Sequence, residues 1–220
     1  MGYVLDWMLE HLDKMDELGC FKDPMAQLGA QTIMGNRGHV LNMAQANNYE
    51  HLKKSLTVEN LFKDRYGIND YTDFDLDPHA KVVLDLTKPL PEEYKNRYNT
   101  VIDSGTLEHI FDHKSAFTNF YDMCKVGGYI IHITPVLAIE HGLFNHTMRL
   151  FSVISKTNDY PIVYSNIKKS INPSHVEDID SHFYNYIVAM KKTNDEFKLP
   201  QDINTNVVER RQLIRRYKTA

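Results

Sequence analysis

The stretch YNTVIDSGTLEHI, residues 98–110, decides the fold of this chain together with CKVGGYIIHITP, residues 124–135. The first apolar run ends in Asp103, and a glycine turn and a helix-length gap follow it. The pair Gly127-Gly128 then opens a second, buried run. This order of strand, turn, helix and strand is typical of a parallel α/β sheet, which binds ligands at the carboxyl ends of its strands. We therefore expect the functional site at those ends.

The composition indicates one globular domain and excludes several classes of protein. The chain has 220 residues, of which 42% are hydrophobic and 25% charged, enough to bury a real core. The net charge of −4 gives no reason to expect a nucleic-acid partner. Five basic residues stand between positions 210 and 218, and we interpret them as a solvated helix face or a frayed tail rather than a docking patch for anions.

Cysteine spacing and hydropathy exclude a disulfide framework and a membrane span. Cys20 and Cys124 have no CxxC spacing, so neither a zinc site nor a disulfide framework is indicated. The N-terminus has no basic region followed by an apolar run, and no segment approaches the roughly 18 apolar residues of a span. We expect a cytoplasmic protein without a membrane partner, and the sequence leaves its oligomeric state open.

Hydrophobic periodicity predicts alternating helices and strands along the whole chain. Helices are predicted at residues 4–18, at 57–66 between a Thr57 cap and Gly67, around the apolar face 117–124, and at 149–157. Strands are predicted at residues 25–31, 71–75, 81–86, 100–102, 129–134, 160–166 and 183–190. A polar loop is expected around residues 35–38. The alternation predicts one doubly wound α/β domain.

The motifs around Asp103 and Gly127 resemble those of class I S-adenosylmethionine-dependent methyltransferases. In that family a strand ending in Asp runs into a Leu-Glu-His turn, and a Lys-x-Gly-Gly turn opens the next strand. The resemblance implies a Rossmann-like, doubly wound seven-stranded sheet that is mostly parallel with an antiparallel last strand. It also suggests a division into an N-terminal helix at residues 1–22, acting as a cap or lid, a methyltransferase-like domain at 23–192 and a polar, basic tail at 193–220.

The resemblance implies that S-adenosyl-L-methionine is the cofactor, held at the ends of successive strands. A ribose diol is best held by a carboxylate at the end of the second strand, where Asp75 stands. The family pattern places the adenine beside Asp85 and the methionine part along Asp103. The full predicted cofactor-binding set is Gly29, Ala30, Gln31, Asp75, Leu76, Asp85, Leu86, Asp103, Ser104 and Gly105. The alternative is that these acidic residues only begin turns and cap helices.

Three residues are candidates for the chemistry on the acceptor, namely His109, His141 and Asn145. A histidine near its ordinary pKa can take a proton from a hydroxyl or amine. We expect Asn145 to orient the substrate. The alternative is that His109 bonds within the fold and that Asn145 and His146 act as turn and cap residues. The sequence has no HExxH motif at these histidines, so we expect no metal.

One motif of the family is missing from this sequence. The usual first motif is a glycine-rich turn, whereas this chain has only Gly29 in the corresponding segment, with Gly35 and Gly38 further on. The resemblance covers residues 25–190 in the order of secondary-structure elements, but the residues of the motifs match only within 75–135. This departure puts the affinity for the cofactor in question before it puts the fold in question.

The function implied by the resemblance is transfer of a methyl group from S-adenosylmethionine to an oxygen or nitrogen atom of a small molecule, such as a sugar or another metabolite. The alternative is a catalytically silent, methyltransferase-like subunit that uses the same pocket for a partner. A dinucleotide-dependent oxidoreductase is disfavoured because the sequence has no GxGxxG motif.

Overall fold

The computed structural model describes residues 2–138, 141–171 and 181–200. The basic segment between residues 210 and 218 lies outside this part of the chain. The strands are β1 Gly2–Val4, β2 Met25–Leu28, β3 Thr32–Met34, β4 Tyr71–Asp75, β5 Val82–Val83, β6 Tyr98–Ser104, β7 Cys124–Leu137, β8 Ile162–Ile171 and β9 Ser181–Met190. The helices are α1 Leu5–Glu17, α2 Arg37–Ala46, α3 Glu50–Lys54, α4 Val58–Tyr66, α5 His113–Met123 and α6 Met148–Thr157, and short 3₁₀ turns form at Glu92–Tyr94 and Leu107–His109.

Seven strands form the central sheet in the order β5-β4-β2-β6-β7-β9-β8. The pairs from β5 through to β7 are parallel, whereas β9 is antiparallel to both β7 and β8. This confirms the prediction of a seven-stranded, mostly parallel sheet with an antiparallel last strand. Strands β1 and β3 pair separately in a small parallel sheet.

Helices cover both faces of the central sheet because successive side chains of each strand point to opposite faces. Ile102 and Ile131 point to the face covered by α1, α2 and α4. Their neighbours Val101 and Ile130 point to the face covered by α5 and α6. Met8, Leu12 and Met15 of α1 are fully buried in the first layer, and they pack there as core residues. The predicted division of the chain and the cap or lid role of α1 stay predictions.

The caps of α4 form as the sequence predicts. The Thr57 side chain accepts a hydrogen bond from the backbone of Asn60, and Gly67 ends the helix in a left-handed conformation. Two helices, α2 and α3, were not predicted. Helix α2 begins within the expected polar loop, and its apolar face is weak because it contains only two buried residues. Its N-terminus is capped by the Asn36 side chain, which accepts from the amides of Gly38 and His39.

Several predicted strands have other bounds in the structure, and the differences at β5 and β7 have a clear physical cause. The strand predicted at residues 81–86 is reduced to β5, because the Asp85 carboxylate binds the Thr87 amide and folds the chain into a turn. Strand β7 continues past Pro135 to Leu137, although its pairing with β6 ends at Ile133. Beyond that point β7 pairs with β9 and has a register shift at Pro135, which cannot donate a backbone hydrogen bond.

None of the helices within the described residues combines the length and the apolarity that a bilayer crossing requires.

Candidate active site

A cleft of about 360 Å³ lies at the carboxyl ends of β2, β4, β5 and β6. Its volume falls in the range of small-molecule sites, about 300–1,000 Å³. The predicted site residues that line it are Gly29, Ala30, Gln31, Asp75, Leu76, Asp85, Leu86, Gly105 and His109. The loops that follow four neighbouring strands therefore bring most of the predicted site together. The contacts of these residues with a cofactor stay predictions.

Gly29 makes the tightest turn of the cleft, directly after β2. Its φ of +82° lies in the left-handed region, and an added Cβ would stand 2.3 Å from Thr106 Oγ1 and 2.6 Å from Gln31 Nε2. The Thr106 hydroxyl donates to the carbonyl of Leu28 at 2.7 Å, which joins the loop after β6 to the end of β2. A residue larger than glycine cannot occupy position 29 without displacing the Thr106 and Gln31 side chains.

Asp75 joins the ends of β2 and β4. Its Oδ2 accepts a hydrogen bond from the Ala30 amide at 2.6 Å, and its Oδ1 accepts from the Asp77 amide at 3.1 Å. Asp73 lies on the same strand but outside the lining of the cleft, and its carboxylate accepts from the Lys81 amide at 2.6 Å. Of these acidic residues on β4, only Asp75 therefore faces the cleft.

Asp85 and Leu86 form the next wall. Hydrogen bonds from the Thr87 hydroxyl and amide to Asp85 Oδ1 lower the pKa of this carboxyl. Leu86 lines the cleft with an almost fully buried side chain. Its carbonyl accepts a hydrogen bond at 2.8 Å from the buried amide of Asn119 on α5, which also donates to the carbonyl of Lys88. Sequence reasoning missed Asn119 because only a buried position distinguishes it from an ordinary helical asparagine.

Asp103 and Ser104 are buried beneath the cleft rather than on its lining. Asp103 Oδ1 accepts from the amides of Thr106 and Leu107, and Oδ2 lies 3.1 Å from Nδ1 of the fully buried His132. Asp103 thus shapes the turn that carries Gly105, which does line the cleft. Direct contact of Asp103 and Ser104 with a cofactor stays a prediction.

His113 and His146 form a pair of histidines outside the lining of the cleft. His146 Nε2 is 2.8 Å from Nε2 of His113, and the His146 ring is almost fully buried beside Phe151. Burial lowers the pKa of His146 to about 4. Two ring nitrogens at this distance share a single proton, since one must donate and the other accept. This pair joins the start of α5 to the loop before α6.

Three polar side chains meet at one end of the cleft. Glu108 and His109 belong to the 3₁₀ turn after β6, and His141 lies in the loop after β7. His141 Nε2 is 3.5 Å from Glu108 Oε1, and the rings of His109 and His141 pack edge to face at 5.3 Å. Glu108 is fully buried, which raises the pKa of its carboxyl, and His141 opposes that rise. Burial and the neighbouring His141 lower the pKa of His109.

The loop after β7 is fixed onto Glu108 by its backbone. The Glu108 carbonyl accepts hydrogen bonds from Leu143 at 2.7 Å and from Phe144 at 3.2 Å. Gly142 has a φ of +70°, and an added Cβ would stand 2.8 Å from Glu108 Cγ. The loop therefore holds His141 against Glu108. Sequence reasoning missed Glu108, although its position inside the Leu-Glu-His turn was a signal that could have marked it.

Asn145 closes the same loop instead of lining the cleft. Its side-chain oxygen accepts a hydrogen bond from the Ala138 amide at 2.9 Å. The structure thus matches the alternative of a turn residue, and a role of Asn145 toward a substrate stays a prediction. The expectation of no metal was drawn from local spacing alone. It did not consider Glu108, His109 and His141 as a set, whose ligand atoms lie within 4.8 Å of one another.

Comparisons with known proteins give matches by structure alone. No protein-family model and no curated protein matches the sequence. The fold is similar to a 1,6-didemethyltoxoflavin-N1-methyltransferase from Burkholderia thailandensis, solved with S-adenosylhomocysteine, at a TM-score of 0.50 and 11% identity over 81% of this chain and 75% of that one. It is also similar to a protein from Galdieria sulphuraria that carries the name sarcosine dimethylglycine methyltransferase, at a TM-score of 0.51 and 9% identity over 85% and 84% of the two chains.

The strand order and these likenesses agree on one architecture. The chain has the class I methyltransferase fold. A looser likeness, at a TM-score of 0.44 and 9% identity, links 76% of this chain to 46% of the chain that holds the CMeT domain of the citrinin polyketide synthase. The class I methyltransferase fold places its ligand site at the carboxyl ends of the parallel strands, where the cleft of this protein lies.

Proposed function

We propose that this protein transfers the methyl group of S-adenosylmethionine to an oxygen or nitrogen atom of a small molecule, such as a sugar or another metabolite. The observation that carries the proposal is the cleft, in which a glycine-bent backbone, strand-end carboxylates and an apolar wall converge. The two similar structures were both named for methyltransferase activity, and one contains S-adenosylhomocysteine.

The residues of the cleft fit the parts of the proposed cofactor. Each carboxylate oxygen accepts more than one hydrogen bond, so the bonds from Ala30 and Asp77 leave Asp75 able to accept from the two ribose hydroxyls. Gly29 and Gly105 both have positive φ values, 82° and 76°, and let the backbone approach the ligand closely.

The adenine would lie between Asp85 and the buried side chain of Leu86 in this proposal. Asp85 retains acceptor capacity for the exocyclic amine, and Leu86 supplies an apolar wall. Asn119 holds the Leu86 carbonyl from below, so the wall is fixed before the cofactor arrives. The donor then supplies an activated methyl group on a sulfonium.

The chain's own contribution to the reaction is mainly to position the acceptor and exclude water. Phe111 lines the cleft with 81% of its side chain exposed, and its ring lies 5.8 Å from that of Phe144. An exposed aromatic ring at the cleft, supported by the partly buried ring of Phe144, suits a small acceptor with an apolar face. His109 lines the cleft and His141 packs on it, and their roles as proton acceptors stay predictions.

Calorimetric titration with S-adenosylhomocysteine tests the proposal. We expect saturable binding that Asp75→Asn weakens by about 10- to 100-fold, the size of one or two lost charge-assisted hydrogen bonds. Asp73→Asn is the matched control, because Asp73 lies on the same strand outside the cleft lining and should leave the affinity unchanged. If a large excess of S-adenosylhomocysteine gives neither heat nor a shift in melting temperature, the result would favour the alternative of a catalytically silent, methyltransferase-like subunit. Equal effects of both variants would show that the ribose lies elsewhere.

A further inference from the structure

The cluster of Glu108, His109 and His141 has the composition of a metal site. Each residue offers one ligand atom, and these atoms lie within 4.8 Å of one another. Two imidazole nitrogens and one carboxylate oxygen are a ligand set found in catalytic zinc sites, and imidazole also suits other divalent transition metals. The ligands come from two loops, so no local spacing in the sequence reveals the set.

The carboxylate of Glu108 lacks the partners that a buried charge requires. The residue is fully buried, and neither of its side-chain oxygens has a hydrogen-bond partner among the described residues. Nε2 of His141, which faces it, is also without a hydrogen-bond partner in that part of the chain. A buried carboxyl group is neutralised by a proton, paired with a charge or bound to a metal, because an isolated charge loses its hydration without compensation. A bound cation would satisfy both groups.

The separation of these two atoms matches a coordination sphere better than a hydrogen bond. His141 Nε2 and Glu108 Oε1 are 3.5 Å apart, which is long for a hydrogen bond. Zinc–ligand distances of about 2.0–2.1 Å at a tetrahedral angle place two ligand atoms roughly 3.3 Å apart. The ligand atom of His109 lies within 4.8 Å of the other two and completes the set.

The backbone around the cluster fixes two of the three ligands in advance. The Glu108 carbonyl binds the amides of Leu143 and Phe144, and the missing side chain of Gly142 lets the loop lie directly on Glu108. A preformed pair of ligands lowers the cost of binding an ion, since little ordering remains.

We propose that Glu108, His109 and His141 bind one zinc ion, or a divalent metal of similar preference, at the end of the cleft. Three protein ligands leave the fourth position of a tetrahedral ion open, as in catalytic zinc sites. His109 also lines the cleft, so an ion held by this set would lie beside the cleft. This position takes water in the free protein and fits a hydroxyl oxygen of the acceptor, whose pKa a bound zinc ion lowers.

The metal site itself is independent of methyl transfer, and only its role toward an acceptor rests on the proposed function. A metal-bound hydroxyl narrows the acceptor to an alcohol or phenol rather than an amine. His109 and His141 then serve as ligands instead of as free bases. The rival interpretation is a metal-free pair in which Glu108 and His141 share a proton.

The test is zinc binding by the full chain without an affinity tag. Protein stripped with a chelator is titrated with zinc by calorimetry, and bound metal is counted by elemental analysis after gel filtration. We expect about one zinc per chain, and at least a tenfold weaker affinity in Glu108→Gln and in His141→Ala. His79→Ala is the control, because His79 is exposed and does not line the cleft. Cobalt in place of zinc should give the visible spectrum of a tetrahedral site.

Two results would overturn the metal site. One is substoichiometric zinc in the stripped and reloaded protein. The other is a zinc affinity that is the same in Glu108→Gln and His141→Ala as in the control variant. Folding of each variant is checked by its melting temperature, and His141→Ala changes a partly exposed loop residue, so it serves if Glu108→Gln does not fold. Titrating the same samples with S-adenosylhomocysteine separates the two proposals. Zinc binding without S-adenosylhomocysteine binding contradicts the proposed function, and the reverse result contradicts the metal site.

Discussion

Replacement of Gly29 by alanine should destabilise the protein more than the same replacement of Gly67. Alanine in the left-handed region costs about 1–2 kcal/mol by itself. At Gly29 the new Cβ also stands 2.3 Å from Thr106 Oγ1, so the hydroxyl must leave the carbonyl of Leu28. The Leu28 carbonyl keeps its hydrogen bond from Gln27 Nε2, so losing the Thr106 bond adds about 0.5–1.5 kcal/mol. The predicted loss of unfolding free energy is therefore about 1.5–3.5 kcal/mol.

Gly67→Ala is the matched control for this change. Gly67 has a φ of +70°, but no atom lies within 4 Å of its added Cβ. It should lose only the backbone term of about 1–2 kcal/mol. Thr106→Ala removes the nearer of the two obstructing side-chain atoms and leaves Gln31 Nε2, so Gly29→Ala in that background should cost less than it does in the wild-type protein. Urea denaturation measures all four variants, and a double-mutant cycle isolates the coupling between the two positions.

Binding of S-adenosylhomocysteine should follow the same order, with Gly29→Ala weakened and Gly67→Ala unchanged. The reasoning would be refuted by equal stability losses in the two glycine variants together with wild-type binding in both. That result would mean that the loops after β2 and β6 part without cost, and that their contact does not shape the cleft.

Two further predictions concern residues beneath the cleft. His146 is neutral when folded, with a pKa of about 4 against an ordinary value of about 6.5, so the unfolded chain binds more protons and stability falls as pH drops from about 6.5 toward 4. Between pH 7 and 5, urea denaturation should show that His146→Asn loses about 2 kcal/mol less unfolding free energy than the wild-type protein. An equal dependence of stability on pH in both proteins would contradict the lowered pKa of His146. Asn119→Ala leaves the carbonyls of Leu86 and Lys88 without their donor, so we expect a loss of about 2–4 kcal/mol and weaker cofactor binding by calorimetry, whereas unchanged values would mean that water replaces the amide.

The strands and the strongest helices could be predicted because their signals are local. The apolar runs of β6 and β7 are buried on both faces, and the cap and the terminal glycine of α4 stand in the sequence itself. Helix α2 could not be predicted in this way, since its only buried residues are Val40 and Ala44. Strand β5 was predicted too long because the turn at Asp85 depends on a side-chain hydrogen bond rather than on hydropathy.

The candidate site was predictable where it follows strand ends and not where two loops meet. The end of a parallel strand has a fixed place in the sheet, so Asp75, Asp85 and Gly105 could be predicted at one edge from the strand ends and the family's motifs together. The contact of His141 with Glu108 depends on the path of the loop after β7. That path is set by hydrogen bonds to the Glu108 carbonyl, and backbone bonds of this kind leave no pattern of residue types.

The missing first motif is explained by what the fold requires at the end of β2. A glycine-rich turn serves to bring backbone close to a ligand and to a neighbouring loop. In this chain Gly29 alone meets the second requirement, since its Cα position leaves no room for a Cβ beside Thr106. The amide of Ala30 is already bound to Asp75, so this loop is fixed by a side chain rather than by further glycines. In the proposed complex the carboxylate of Asp75 therefore has two tasks, to hold the loop after β2 and to hold the ribose. Its replacement should weaken cofactor binding more than the corresponding replacement would in a methyltransferase with a full glycine-rich motif.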